Sequence, residues 1–232
     1  IIGRLVGSEM CIRDSNGTTL GEEIKNSAKW TQNIITDKSN PVFNAGSIAV
    51  LKGTLAPNSA IIKQSAATES LLIHEGRAVV FEGLEDLANR IDRDDLDVTK
   101  DDVLVLKSIG PKGGPGMPEA GLIPIPKKLA KQGVKDMVRI SDGRMSGTAS
   151  GTIILHVTPE SYENGPLAIV ENGDLIKLDV PKRKIDLMIS EEEIAERLLK
   201  RKELSIRRRG YNKIYMEHVT QADRGVDFDF LI

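Results

Sequence analysis

"DLIKLDVPKRKIDLMIS", residues 174–190, places Ile176, Leu178 and Val180 before a short turn and Ile185, Leu187 and Ile189 after it. Apolar residues at every second position put their side chains on one face of an extended chain, and "PKRK" supplies the reversal. The spacing predicts a hairpin with one buried and one wet face. Upstream the pattern changes. "SIAVLKG" (47–53), "AIIKQ" (60–64), "RAVVFEG" (77–83), "DVLVLKS" (102–108), "MVRIS" (137–141), "GTIILHV" (151–157) and "PLAIVENG" (166–173) are short apolar, β-branched runs bounded by turn residues. Each is a strand candidate by length and flanks.

Helical signals are fewer. Thr19 and Glu22 stand at capping-box spacing, as do Ser190 and Glu193 ahead of "EEEIAERLLKRKEL". "LEDLANRI" (84–91) follows one strand, and "PKKLAKQG" (126–133) ends on Gly133, a helix-terminating glycine. A regular wheel of strand and helix would need a helix between most strands, and those are missing. The expected fold is therefore mixed α/β, a barrel-like β-sheet domain flanked by a few helices. The tail from about 205 to 232 is expected to pack as a closing arm.

The chain has 232 residues, enough for a sizeable core, with 40% hydrophobic and 28% charged residues. Its net charge of −2 gives no electrostatic case for nucleic acid or an anionic membrane, and 3% aromatics leave few platforms for stacking bases. No apolar run approaches the roughly 18–20 residues of a membrane span. A cytoplasmic protein is expected. The single cysteine, Cys11, excludes a disulfide framework within the chain. It lies in "IIGRLVGSEMCIRDS" (1–15), which lacks both an initiator methionine and the makings of a signal peptide. That stretch is similar to translated sequencing-adapter read-through, so residues 1–15 are read as non-native and the domain as residues 16–232. On this reading the natural protein begins further upstream.

Two loops hold chemistry-bearing residues. "IGPKGGPGMPEAG" (109–121) sets five glycines and three prolines around one acid, Glu119. Such a loop can cradle an anion with its N–H groups, and its carboxylate is a candidate ligand for a hard cation such as Mg²⁺. It is neither a Walker A motif nor a dinucleotide fingerprint. A plain surface turn with a solvated glutamate is the competing reading. "SDGRMSGTASG" (141–151) raises the question of an activated serine. A nucleophile elbow would need glycine where Arg144 and Thr148 flank Ser146, so the hydrolase reading fails on the motif. Ser146 is either a turn-former or a hydroxyl activated by backbone N–H groups and a nearby cation. Lys63 is either a partner for a carboxylate or a surface lysine. His74, His156 and His218 stand at no metal-ligand spacing. The charge around Lys200–Arg209 reads as a solvated helix face.

Together with "GTTLGE", "GSIAVLKGTLAPNSAIIKQSA", "HEGRAVVFEG", "HVTPES" and "GPLAIVENGDLIKLDVPKRKIDL", these loops resemble the C-terminal domain of the dihydroxy-acid and phosphogluconate dehydratase family. The resemblance runs from residue 17 to about 190, and the tail "RRGYNKIYMEHVTQADRGVDFDFL" extends it toward the sugar-acid branch, which acts on pentonates such as arabinonate or xylonate. It implies a hydro-lyase that dehydrates a 2,3-dihydroxy acid to a 2-keto-3-deoxy acid. An iron–sulfur cluster and Mg²⁺ are the implied Lewis acids, and a serine alkoxide the implied base. Transferred motif by motif, the base is Ser146 and the metal ligand is Glu119. Gly147, Thr148 and Gly151 are placed to offer stabilising dipoles, and Arg144 to contact substrate or orient the loop.

Two departures bear on the substrate and the turn. The family often has glycine where Ser59 stands. "SDGR" matches branched-chain dihydroxy-acid dehydratases, whereas "RMSGTA" and the tail match sugar-acid dehydratases. The cluster cysteines and the remaining magnesium ligands belong, by the same resemblance, to an N-terminal domain that this sequence lacks. The expected partners are a polyhydroxy acid, that missing domain and, by resemblance, further copies in a homo-oligomer. The chain alone is expected to be inactive. A non-enzymatic anion or sugar-acid binding domain is the alternative.

Overall fold

The computed structural model describes residues 17–25, 34–37, 39–44, 46–201 and 209–231. Residues 1–15, with Cys11, lie outside them. The chain divides into two compact units after Asn44. In the first, helix α1 (Leu20–Lys25) starts on the expected capping box: Thr19 Oγ1 accepts from Glu22 N, and the Glu22 carboxylate accepts from Thr19 N.

The second unit is built on one eight-stranded sheet. Its strands are β1 (Ala49–Leu51), β2 (Ser59–Ile62), β3 (Ile73–Phe81), β4 (Val103–Leu106), β5 (Arg139–Ser141), β6 (Ile153–Thr158), β7 (Leu175–Asp179) and β8 (Lys184–Leu187). Their spatial order is β1-β2-β6-β5-β4-β3-β7-β8. The two ends meet where Lys52 N donates to Arg183 O at 3.0 Å and Ile185 N to Lys52 O at 3.2 Å, so the sheet is nearly closed as a barrel. β3 to β6 form a parallel core, β3 on β4, β4 on β5 and β5 on β6, and the remaining pairs are antiparallel.

This arrangement explains both sequence patterns. Along β3 and β4, Ala78, Val80, Val103 and Val105 point into the barrel, while Val79, Phe81, Leu104 and Leu106 point outward. The outward set is covered by Leu87 of helix α2 (Leu84–Arg90) and Leu129 of helix α3 (Lys127–Lys131). Strands buried on both faces read as continuous apolar runs. The β7–β8 hairpin has one wet face, hence its alternation.

One expected strand is not a strand. "PLAIVENG" contains a 3-10 turn, Pro166–Ile169, with Pro166 at its start. Leu167, Ile169 and Val170 are needed inside the barrel cluster, and an extended run would have turned alternate residues away from it. Asn172 then reaches back, accepting from Val80 N at 2.7 Å. Helix α4 (Glu191–Lys200) is capped by Ser190, whose side chain accepts from Glu193 N. Helix α5 (Tyr211–His218) leads into a turn closed by a bridge between Val219 and Phe228. No helix among the described residues is long and apolar enough to cross a membrane.

Asp136, just before β5, ties several of these pieces together. It accepts from Thr68 Oγ1 (2.7 Å), Thr152 N (2.9 Å) and Oγ1 (2.7 Å), and pairs with buried Arg139 at 2.7 Å. Burial pushes its carboxyl up, but the Thr68 and Thr152 hydrogen bonds and the Arg139 charge outweigh it and hold Asp136 below the ordinary aspartate value. For Arg139 burial wins, and its pKa falls. A carboxylate with a lowered folded pKa stabilises the fold above its unfolded value, and that contribution is lost as pH falls through the folded pKa. Asp136→Asn is expected to cost about 3 kcal/mol at neutral pH and to flatten the acid limb of stability. Urea denaturation between pH 7 and pH 3 measures both.

Candidate functional site

The parallel core decides where the two loops meet. Because β4, β5 and β6 run side by side in one direction, the segments that follow them leave from the same rim, the usual place for ligand sites in parallel sheets. The glycine-rich loop follows β4. The serine loop follows β5 and carries the chain back to the start of β6 without a helix.

Two buried carboxylates organise that rim. Asp142, directly after β5, accepts from Ile109 N (3.0 Å), Ser108 N (3.2 Å) and Ser161 N (2.9 Å), so it binds the segments after β4 and after β6. Glu160, after β6, accepts from Lys112 N (2.9 Å) and Gly113 N (2.8 Å). Both side chains are fully buried. Burial raises both pKa values, opposed by the backbone N–H bonds; for Glu160 the Asp142 charge adds to the rise. The N–H donors favour the ionised form against that rise, since a carboxylate satisfies several N–H groups that a protonated acid would leave short. Sequence reading assigned neither residue a role. For Asp142 an acid directly after a strand and beside Gly143 was the available signal, while Glu160, between Pro159 and Ser161, offered none; burial shows the purpose of both.

The expected site residues sit on this frame. Arg144 bridges the loops: its Nη1 pairs with Glu119 Oε1 at 2.8 Å, its Nε donates to Met117 O, and its carbonyl accepts from Gly121 N at 2.7 Å. A Cβ on Gly121 would lie 2.8 Å from that carbonyl oxygen, so only glycine permits the approach. Ser146 Oγ and Thr148 Oγ1 are 3.0 Å apart, and Thr148 N lies 3.5 Å from Ser146 Oγ. Lys63, just past β2, donates to Gly147 O at 2.7 Å; its partner is a carbonyl and not a carboxylate. Gly147 is exposed with open space beside it. Gly151 does not offer its N–H to Ser146, contrary to expectation, because that group donates to Ala66 O at 2.9 Å. Ser59 bonds Thr158 across β2 and β6.

His156, whose N–H is held by Gly143 O, has its pKa lowered by burial and by the Arg144 charge. His74 bonds Asp101 O and His218 bonds Asp229.

Among the described residues, no group of three or more His, Cys, Asp or Glu side chains converges as a metal site. An iron–sulfur cluster needs about three or four thiolates, and one cysteine in the chain does not fit it. Mg²⁺ uses one or two protein carboxylates with water and substrate oxygens. Glu119, half-exposed at the loop surface, fits as one such ligand, though not as a complete site.

Residues 33–226 match the model of the dihydroxy-acid/6-phosphogluconate dehydratase C-terminal family. The chain belongs to this family. It is 54% identical over 204 residues to a protein named as a dehydratase from Rhizobium meliloti (strain 1021), covering 88% of this chain and 36% of that one. It is 46% identical over 217 residues to the L-arabinonate dehydratase of Rhizobium leguminosarum bv. trifolii (strain WSM2304), with 93% and 38% coverage. Against the dihydroxy-acid dehydratase of Carboxydothermus hydrogenoformans the identity is 42% over 216 residues, with 92% and 38% coverage. The chain therefore spans between a third and two fifths of the length of these relatives.

Asp142→Asn tests the frame. The substituted amide would point its NH₂ at N–H donors, so a loss of about 1–3 kcal/mol is expected despite removal of a buried charge. Chemical denaturation at neutral pH measures it, and unchanged or increased stability would show that Asp142 is not an ionised anchor.

Proposed function

We propose that this chain is the C-terminal part of a hydro-lyase that converts a 2,3-dihydroxy acid, a sugar acid in preference to a branched-chain one, to a 2-keto-3-deoxy acid. The observation that carries the reading is the bridge between loops: Arg144 joins Glu119 to the segment that holds Ser146. Family membership and two dehydratase relatives named for such acids support it.

In this reading Ser146 Oγ takes the proton from C2 of the substrate. The electron pair left behind forms the C2–C3 double bond as the C3–O bond breaks, and the 3-hydroxyl departs as water with the proton that Ser146 returns, which restores the alkoxide. The enol then becomes the 2-keto acid by moving a proton from the 2-hydroxyl oxygen to C3. A C2 proton is weakly acidic, so the base must be strong and nearby positive charge and dipoles must lower its pKa. The Thr148 hydroxyl, 3.0 Å from Ser146 Oγ, donates to the deprotonated serine. Lys63 fixes the carbonyl next to it. When Glu119 takes a cation, the Arg144 guanidinium is freed to meet the substrate carboxylate. Mg²⁺ and an iron–sulfur cluster would supply Lewis acidity when bound, with Glu119 as a metal ligand from the described residues. A further domain carries the cluster.

The 232-residue chain alone should contain no stoichiometric iron or sulfide and form no 2-keto acid from arabinonate, xylonate or a branched-chain dihydroxy acid. Extension through the upstream reading frame should restore turnover. Turnover by the chain alone would overturn the reading. Saturable, metal-independent aldonate binding by calorimetry, with no activity after extension, would favour a binding domain.

A further inference from the structure

Glu160 is enclosed by donors that are all uncharged. Besides Lys112 N and Gly113 N, its carboxylate accepts from Gln221 Nε2 at 2.6 Å, and Gln221 Oε1 in turn accepts from Glu160 N at 2.9 Å. One amide side chain thus makes two bonds to one residue, using both of its ends. Lys112 Nζ does not approach Glu160, because it pairs with Glu163 at 2.5 Å. A buried carboxylate met only by dipoles loses much when one is removed.

Gln221 is itself held in place. Arg224 N and Val226 N both donate to its carbonyl, Thr220 N donates to Asp227 O, and Asn58 Nδ2 reaches Asp223 Oδ2 at 3.2 Å. On the other side, the glycine-rich loop is bonded in steps, Gly114 N to Gly110 O at 2.8 Å and Met117 N to Gly114 O at 2.7 Å. Met117 lies two residues before Glu119.

We infer that Gln221 is a positioning residue: it latches the C-terminal segment to Glu160 and, through Glu160, sets the loop that carries Glu119. The connection runs from Gln221 to the Lys112 and Gly113 amides and on through the loop's own bonds. Neither alanine nor glutamate can replace Gln221, since alanine lacks both groups and glutamate sets a second carboxylate against the first with no donor. The relevance to catalysis rests on the proposed role of Glu119; the latch does not.

Amide hydrogen exchange followed by NMR on the 232-residue chain tests it without reference to turnover. Gln221→Ala and Gln221→Glu are expected to speed exchange at Lys112 and Gly113 by about tenfold or more while Leu104 and Ile140 in the sheet stay protected. Asp223→Ala, which removes the bond to Asn58 in the same segment, should leave Lys112 and Gly113 within about twofold of wild type. Should the glutamate variant fail to fold, the alanine variant decides alone. Unchanged exchange at Lys112 and Gly113, equal acceleration at every amide, or the same effect from Asp223→Ala would each overturn the latch.

Discussion

The rim of the barrel depends on one buried carboxylate. Asp142 takes N–H groups from the segments after β4 and after β6 while standing at the end of β5. Three parallel strands deliver three irregular segments to one edge, and irregular backbone there needs partners for its N–H groups. Charge-assisted bonds to a fully buried side chain meet that need. Glu160 repeats the device one strand over. The start of the loop that carries Glu119 is thereby bonded to the rim, and the loop that carries Ser146 leaves the sheet directly after Asp142.

Much of the fold was legible because burial writes itself into the sequence. Strands buried on both faces gave continuous runs, the half-wet hairpin gave alternation, and two capping boxes marked helix starts. "PLAIVENG" was misread because apolar residues plugging the barrel carry the same composition as a buried strand. Local pattern does not encode which apolar run crosses the interior and which one pairs. The site was legible in a different way. Ser146 and Glu119 drew notice through their motifs, but the Arg144–Glu119 pair joins residues 25 apart and no periodicity reveals it. Asp142 and Glu160 are ordinary surface acids on composition alone; only the topology that crowds three strand ends together makes them anchors. Gly151 shows the reverse error, a free-looking N–H already committed to Ala66 O.

The rim loops bring together the Ser146 and Thr148 hydroxyls, 3.0 Å apart, and the Arg144–Glu119 pair, and the described residues contain no complete metal site. The chain spans well under half of its relatives' length. The Arg144–Glu119 pair keeps two opposite charges satisfied across the two loops.

The most direct measurement is 2-keto acid formation by the chain extended through the reading frame upstream of Asn16, wild type against Ser146→Ala, with the cluster absorption recorded for both. Loss of turnover with the absorption spectrum unchanged is expected if Ser146 takes the C2 proton. Retained turnover in Ser146→Ala would remove it from that role and leave the loop as scaffold.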